Sequence, residues 1–201
     1  MGLNVDPKAR GLIFDLDGTL SDSLPVHMAT WNKIGNSIGF VFDERLVHEM
    51  TGMPTIAFAR RIIEENGLRL SPGELVKLKQ EAFWDAVHLV KPIDQVVGIV
   101  KAYHGKLPMS VGTGASRRSA TLQLDELELT SYFDFIITAD DVTRHKPDPD
   151  TFLECARLMK VKPDACQVFE DGILGMEAAR QAGMIITDVR PYINYGSWAL
   201  S

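Results

Sequence analysis

Cysteine is scarce in this chain of 201 residues, which contains only two, Cys155 and Cys166, and no CxxC pair. A disulfide framework or a zinc ribbon needs more cysteines at closer spacing, so both are excluded. This cysteine usage suits a reducing compartment, and the N-terminus has no secretory pattern. We therefore expect a cytoplasmic protein.

Long apolar runs and an excess of positive charge are also missing. No stretch approaches the roughly 20 apolar residues that a membrane-spanning helix needs. Lys and Arg number 21 against 27 Asp and Glu, which gives a net charge of -6, and no basic run occurs. Such a chain has no sequence-independent affinity for the phosphate backbone of nucleic acids. We expect neither a membrane nor a nucleic acid as a partner.

The chain does contain short apolar runs, rich in β-branched residues, that are typical of buried parallel strands. They lie at 11–14, 109–111, 135–138, 166–169 and 184–189. Helical patterns lie between them, for example over 93–103 and 152–159. Strands that alternate with helices predict an α/β fold, with a Rossmann-like parallel sheet covered on both faces.

One segment, residues 22–91, breaks this alternation because it carries only helical signals. Residues 71–74, Ser-Pro-Gly-Glu, have the pattern of a capping box with proline at the first helical position. Pro54 starts another amphipathic run. We expect 22–91 to form a helical cap, inserted after the first strand into an α/β core made of 1–21 and 92–201.

Polar side chains follow four of the predicted strands, at the point where each strand ends. In chain order they are Asp15, Asp17, Thr113, Lys146, Glu170 and Asp171. The carboxyl ends of parallel strands share one edge of the sheet, where ligands bind. Several carboxylates at one place indicate a hard divalent cation with oxygen ligands, for which Mg²⁺ is the first candidate. A lysine and backbone N–H groups beside that cation suit a phosphate, and aspartate can form a covalent phosphoryl intermediate.

These segments resemble the four motifs of the haloacid dehalogenase (HAD) superfamily, in their order and at its strand ends. The helical segment after the first strand is similar to the C1 caps of that superfamily. His27, KPDPDTF at 146–152 and VFEDGILGMEAARQAGM at 168–184 resemble its β-phosphoglucomutase-like branch. HGKLPMSVGTG at 104–114 is similar to the bacterial sugar phosphatases of that branch, which act on fructose 1-phosphate and 6-phosphogluconate.

The resemblance implies four catalytic residues. Asp15 would be the nucleophile that accepts the phosphoryl group, and Asp17 the acid on the leaving oxygen and then the base on water. Thr113 and Lys146 would bind the oxygens of the transferring group. An aspartate at position 17 also favours phosphoryl transfer over dehalogenation, because a halide needs no proton to leave.

The same resemblance implies that the cofactor is Mg²⁺. Asp15 and Asp171 would be ligands through their carboxylates, and Asp17 through its backbone carbonyl. Glu170 would bind the ion directly or hold its water shell.

Substrate-binding residues are implied as well, namely His27, Gly52, Thr55, Lys79 and Gly114. For His27 the family implies a hinge or proton-relay role, and the alternative is a histidine at the helix surface or the core edge. Lys79 could instead be a solvated helix lysine. The loop at 51–55 could be a plain turn between helices.

The function predicted from these residues is a Mg²⁺-dependent, monomeric phosphatase of small sugar phosphates, with an aspartyl-phosphate intermediate. The alternative is a β-phosphoglucomutase, and a less favoured one is a non-catalytic binding protein. The mutase pattern places a lysine before the cap-loop glycine and an arginine three residues after it, whereas this chain has Thr51 and Thr55. Bidentate arginine suits the second phosphate that a mutase must hold, so its loss favours hydrolysis.

Overall fold

The structure is a computed structural model that describes residues 2–50 and 53–193, apart from the side chains of residues 47 and 48. Its strands are β1 (Gly11–Phe14), β2 (Ser21–Asp22), β3 (Lys91–Pro92), β4 (Met109–Gly112), β5 (Phe135–Ile137), β6 (Cys166–Glu170) and β7 (Ile185–Asp188). Its α-helices are α1 (Leu24–Ile38), α2 (Arg45–Met50), α3 (Thr55–Asn66), α4 (Pro72–Ala86), α5 (Asp94–Tyr103), α6 (Arg117–Glu126), α7 (Asp150–Met159) and α8 (Ile173–Gln181).

A five-stranded sheet with the order β5-β4-β1-β6-β7 forms the centre of the fold. All of its strand pairs are parallel. The predicted α/β fold with a Rossmann-like sheet is therefore confirmed. The first strand of the chain is the middle strand of the sheet, which places the residues that follow it between the ends of β4 and β6.

Both faces of the sheet are covered, as apolar runs without alternation require. Leu12 and Phe14 of β1 pack with the buried side chains of α5 and α6 on one face. Ile13 packs with those of α7 and α8 on the other. Within residues 2–50 and 53–193, no helix is both long enough and apolar enough to cross a membrane.

Helices α1, α3 and α4 share an apolar cluster of their own, which includes Trp31, Ile62 and Leu75. The capping box at Ser71 and Glu74 is present at the start of α4. The helices and the capping box could be predicted from the sequence because each depends on a few neighbouring residues. The division into a core and a cap at 22–91 stays a prediction.

Two short strands that periodicity did not indicate border this helical segment. β2 and β3 pair antiparallel, with Ser21 opposite Pro92 and Asp22 opposite Lys91. Strands of two residues carry no alternating pattern, so the sequence could not predict them. Their pairing brings the two connections of the helical segment side by side.

Candidate active site

The ends of β1 and β4 meet at a cavity of about 90 Å³. Asp15 follows β1, and its backbone N–H donates to the carbonyl of Phe169 in β6 at 3.0 Å. Thr113 follows β4, and its N–H donates to the carbonyl of Ile137 in β5 at 2.9 Å. Main-chain pairing between neighbouring strands thus places the side chains beyond the strand ends, where a ligand can reach them.

Lys146 joins two of the predicted acidic residues. Its Nζ lies 2.6 Å from Oδ1 of Asp15 and 2.8 Å from Oε2 of Glu170. Lys146 is only 2% exposed, and both carboxylates are buried. The ammonium group therefore neutralises part of an acidic cluster that is largely shielded from bulk water.

A third carboxylate completes this cluster. Oxygen atoms of Asp15, Glu170 and Asp171 all lie within 4.8 Å of one another. Thr19 donates to Asp171 from its hydroxyl at 3.0 Å, which orients that carboxylate. Three buried carboxylates face one ammonium group, so a negative charge remains to be balanced by protons or by a cation.

The pKa values of the cluster reflect this imbalance. Burial raises the pKa of Asp15, and the carboxylate of Glu170 raises it further, although Lys146 opposes both effects. Burial and the same Glu170 carboxylate raise the pKa of Asp171. Clustered oxygen ligands with excess negative charge fit a hard divalent cation, which would replace the protons.

Two glycines make room for these carboxylates. A Cβ atom on Gly18, whose φ is +87°, would lie 2.3 Å from Oδ2 of Asp171. A Cβ atom on Gly175 would lie 2.2 Å from the carboxylate of Glu170. At both positions only glycine lets the backbone approach the acidic cluster this closely.

Asp17 has hydrogen-bond partners of its own, which are not members of the cluster. Its Oδ1 accepts hydrogen bonds from Ser23 Oγ at 2.5 Å, His27 Nε2 at 3.0 Å and Gln123 Nε2 at 3.0 Å. Burial alone would raise the pKa of Asp17, but the three hydrogen bonds and the charge of His27 outweigh it, so the pKa lies well below its usual range. The role of its backbone carbonyl as a metal ligand stays a prediction.

His27 connects Asp17 to Lys79. Nδ1 of His27 contacts Nζ of Lys79, and the His27 ring stacks on Phe83 with centroids 4.2 Å apart. An ammonium group can only donate, so a charged Lys79 leaves the Nε2–H of His27 to donate to Asp17. Burial, together with the charge of Lys79, lowers the pKa of His27 despite the opposing effect of Asp17.

Lys79 is itself buried, with 4% of its surface exposed. Burial lowers its pKa from 10.5 to about 7, although Asp17 opposes this. The alternative reading of Lys79 as a solvated surface lysine is therefore wrong. Its role in substrate binding stays a prediction.

The other predicted substrate-binding residues lie at the same cavity, where the structure describes them. Thr55, His27, Lys79 and Gly114 all line it, together with Thr113. Gly52 lies outside the described residues.

Several lining and contact residues could not be identified from the sequence. Trp31 and Phe58 line the cavity from α1 and α3, where helical periodicity indicates only core positions. Ser23 had a weak signal, because it directly precedes α1. Gln123 had none, since it lies 106 residues from the carboxylate that it contacts.

Comparison with known proteins finds relatives that match nearly the whole chain. Residues 12–189 match the family model described as haloacid dehalogenase-like hydrolase. The chain is 44% identical over 181 residues to the fructose-1-phosphate phosphatase YqaB of Escherichia coli, covering 90% of this chain and 96% of that one. It is 30% identical to a phosphorylated carbohydrates phosphatase of Thermotoga maritima, covering 87% of this chain and 82% of that one.

A solved structure has the same fold. The β-phosphoglucomutase of Clostridium difficile superimposes with a TM-score of 0.80 at 22% identity, covering 90% of this chain and 84% of that one.

Proposed function

The chain belongs to the haloacid dehalogenase-like hydrolases, and from this membership we propose that it is a Mg²⁺-dependent phosphatase of small sugar phosphates. The observation that carries the proposal is the buried cluster of Asp15, Lys146, Glu170 and Asp171 beside a small cavity at the strand ends. Sugar phosphatases among the relatives support the reaction class.

In the first half-reaction a carboxylate oxygen of Asp15 attacks phosphorus, and the bond between phosphorus and the sugar oxygen breaks. Asp17 gives a proton to that leaving oxygen, so a neutral sugar departs and an aspartyl-phosphate remains. Lys146 and Thr113 hold oxygens of the transferring group, as preorganised donors do in phosphoryl transfer.

In the second half-reaction a water molecule attacks the phosphorus of the aspartyl-phosphate. Asp17 takes a proton from this water, and the bond to Asp15 breaks, which restores both carboxyl groups. The sum is one phosphate ester and one water converted to one sugar and one phosphate. Positioned proton transfer of this kind contributes about 10² to 10⁴-fold to the rate.

Asp15, Glu170 and Asp171 would hold the cation, since their oxygen atoms already lie within 4.8 Å of one another. Mg²⁺, when bound, reduces the repulsion between the Asp15 carboxylate and the phosphate and orients both. Asp17 would add its backbone carbonyl.

For the substrate we propose a hexose or pentose monophosphate, with fructose 1-phosphate first because of the name of the E. coli relative. The described lining combines polar groups, such as those of Thr55, Lys79 and Gln80, with the aromatic faces of Trp31 and Phe58. This mixture suits the hydroxyls and C–H faces of a sugar. 6-Phosphogluconate is a second candidate.

The mutase alternative is less well supported by this lining. Among the described residues that line the cavity there is no arginine. A second phosphate would have to be held without a bidentate partner.

Phosphate release from a panel of hexose and pentose phosphates with Mg²⁺ tests the proposal. We expect turnover by the unmodified chain and none by Asp15→Asn, with Asp164→Asn, an exposed aspartate, as the matched control. With β-glucose 1-phosphate, formation of an isomer without free phosphate would refute hydrolysis in favour of the mutase.

The predicted cytoplasmic location and monomeric state belong to this proposal too. Light scattering on the purified protein tests the second, and we expect the mass of one chain.

A further inference from the structure

Gln123 is a polar side chain in an apolar setting. It lies on α6 with 0% of its surface exposed, between the turns that place Ala120 and Leu124 in the core against β1. Its Oε1 is buried without a hydrogen-bond partner among the residues that the structure describes. Packing alone would favour leucine here, because a buried amide with an unpaired oxygen is unfavourable.

The amide nitrogen of Gln123 has one hydrogen-bond partner in the described structure, and it is the candidate acid and base. Nε2 of Gln123 donates to Oδ1 of Asp17 at 3.0 Å. An amide donates whatever the pH, so this contact does not depend on the protonation of any other group.

The three donors to Asp17 come from two different parts of the fold. Ser23 and His27 follow Asp17 by six and ten residues, at the start of the helical segment. Gln123 comes instead from α6, whose apolar side packs with Leu12 and Phe14 of β1. Gln123 is thus the donor that ties Asp17 to the same sheet that carries Asp15.

The hydrogen bonds also distinguish the two carboxylate oxygens of Asp17, because they reach only one of them in the described structure. All three donors contact Oδ1, and within residues 2–50 and 53–193 no hydrogen bond reaches Oδ2. Asp17 lines the cavity. With Oδ1 held by three donors, Oδ2 is the oxygen left to exchange a proton with the substrate or with water.

We propose that Gln123 is a positioning residue for proton transfer: it holds Oδ1 of Asp17 so that Oδ2 meets the leaving oxygen of the substrate. This inference rests on the proposed function. In the first half-reaction the proton moves from Oδ2 to the sugar oxygen as the P–O bond breaks, and in the second it returns to Oδ2 from water. Gln123 neither gains nor loses a proton in either step.

The leaving group separates this role from a structural one. A sugar alkoxide needs a proton in order to leave, whereas p-nitrophenolate leaves as an anion. The parameter kcat/KM reports on the steps from substrate binding up to departure of this leaving group. For Gln123→Leu we expect kcat/KM with the best sugar monophosphate to fall at least about tenfold, a part of the 10² to 10⁴-fold that a positioned acid contributes. With p-nitrophenyl phosphate we expect less than about a twofold change by the same argument.

A second variant and a matched control complete the experiment. Gln123→Met keeps the length of the side chain but removes the donor, and it should show the same discrimination between the two substrates. Gln167→Leu removes another buried glutamine, whose amide donates to the Asn4 carbonyl and the Thr187 hydroxyl instead of to Asp17, and should leave both kcat/KM values unchanged.

The outcomes distinguish this inference from the function on which it rests. Turnover of sugar phosphates by the unmodified chain tests the proposed function alone, and its absence refutes both. If the unmodified chain is active and Gln123→Leu loses activity equally on both substrates, or on neither, the positioning role is refuted while the phosphatase stands.

Discussion

At the scale of single residues, Lys79 is an unfavourably placed charge in the helical segment. It is 4% exposed, and burial lowers its pKa from 10.5 to about 7. Below about pH 7 Lys79 is charged in both the folded and the unfolded chain, so the folded state bears the full cost of the buried charge. Between about pH 7 and pH 10.5 the unfolded chain binds more protons, so stability rises with pH in this window.

Lys79→Met should therefore raise the melting temperature at pH 6. An effect of at least about 1 kcal/mol corresponds to roughly 2–4 °C for a chain of this size. The gain should shrink between about pH 7 and pH 10.5, where the folded lysine is neutral and the cost of removing its proton on folding falls as the pH rises. Lys77→Met, an exposed lysine on the same helix, is the control and should show no such pH dependence. A Lys79→Met protein that melts below the unmodified chain at pH 6 would contradict the argument.

Which site residues the sequence could predict depends on how each one is placed. Asp15, Thr113 and Glu170 lie at strand ends. A strand end can be recognised from a short stretch of sequence, and in a parallel sheet it places the residue beside the ligand-binding edge. Gln123 reaches the site from the buried side of a helix. A polar residue in a helical pattern does not indicate which distant residue it will contact. Its contact with Asp17 depends on packing between segments that are far apart in the sequence, and no local sequence pattern indicates that these two residues are close in space.

At the scale of elements, the start of α8 is constrained by the acidic cluster beneath it. Gly175 is in the first turn of α8, and a Cβ atom there would lie 2.2 Å from the Glu170 carboxylate. Alanine in a helix is ordinarily favoured over glycine by about 0.5–1 kcal/mol. Here the methyl group must displace a carboxylate that the proposed function assigns to the cation.

We expect Gly175→Ala to lower the melting temperature and to abolish Mg²⁺-dependent phosphate release. The matched control is Gly98→Ala in α5, where a Cβ atom meets nothing within 4 Å. That variant should gain roughly 0.5–1 kcal/mol from helix propensity and keep full activity. Equal effects of the two substitutions on stability would show that the close approach to Glu170 is not a constraint.

The capping box of α4 offers a second test at this scale. The Ser71 hydroxyl accepts from the Glu74 N–H, and the Glu74 carboxylate accepts from the Ser71 N–H at 2.7 Å. Ser71→Ala removes the first of these and should cost about 1 kcal/mol, with kcat unchanged because Ser71 does not line the cavity. Ser71→Asp keeps an acceptor and should melt like the unmodified chain. An unchanged melting temperature in Ser71→Ala would count against the cap.

At the scale of the whole molecule, the strand order could not be read from the sequence. Apolar runs predicted five strands, yet periodicity does not say which strands are neighbours, and the order β5-β4-β1-β6-β7 depends on long-range packing. The side chains at several of the strand ends nevertheless lie close together, as predicted without knowledge of the order. Parallel strands all end at one edge, so their terminal residues converge in any arrangement that keeps them adjacent.

Because of that convergence, we expect the stability of the whole chain to depend on the proposed cation. Three buried carboxylates against one ammonium group leave an unbalanced charge in the folded state. A cation that binds only the folded chain adds RT ln(1 + [L]/Kd), which is about 2.7 kcal/mol at a hundredfold excess over Kd. Mg²⁺ should then raise the melting temperature of the EDTA-treated protein by roughly 5–11 °C.

Thermal unfolding in EDTA, with and without excess Mg²⁺, measures this shift directly. NaCl at matched ionic strength is the control, because screening alone acts weakly on buried charges. Asp171→Asn removes one carboxylate from the cluster, so it should melt higher than the unmodified chain in EDTA and respond less to Mg²⁺. A Mg²⁺ shift no larger than the NaCl shift would mean that the cluster is balanced by protons instead, and the proposed cofactor would have to be abandoned.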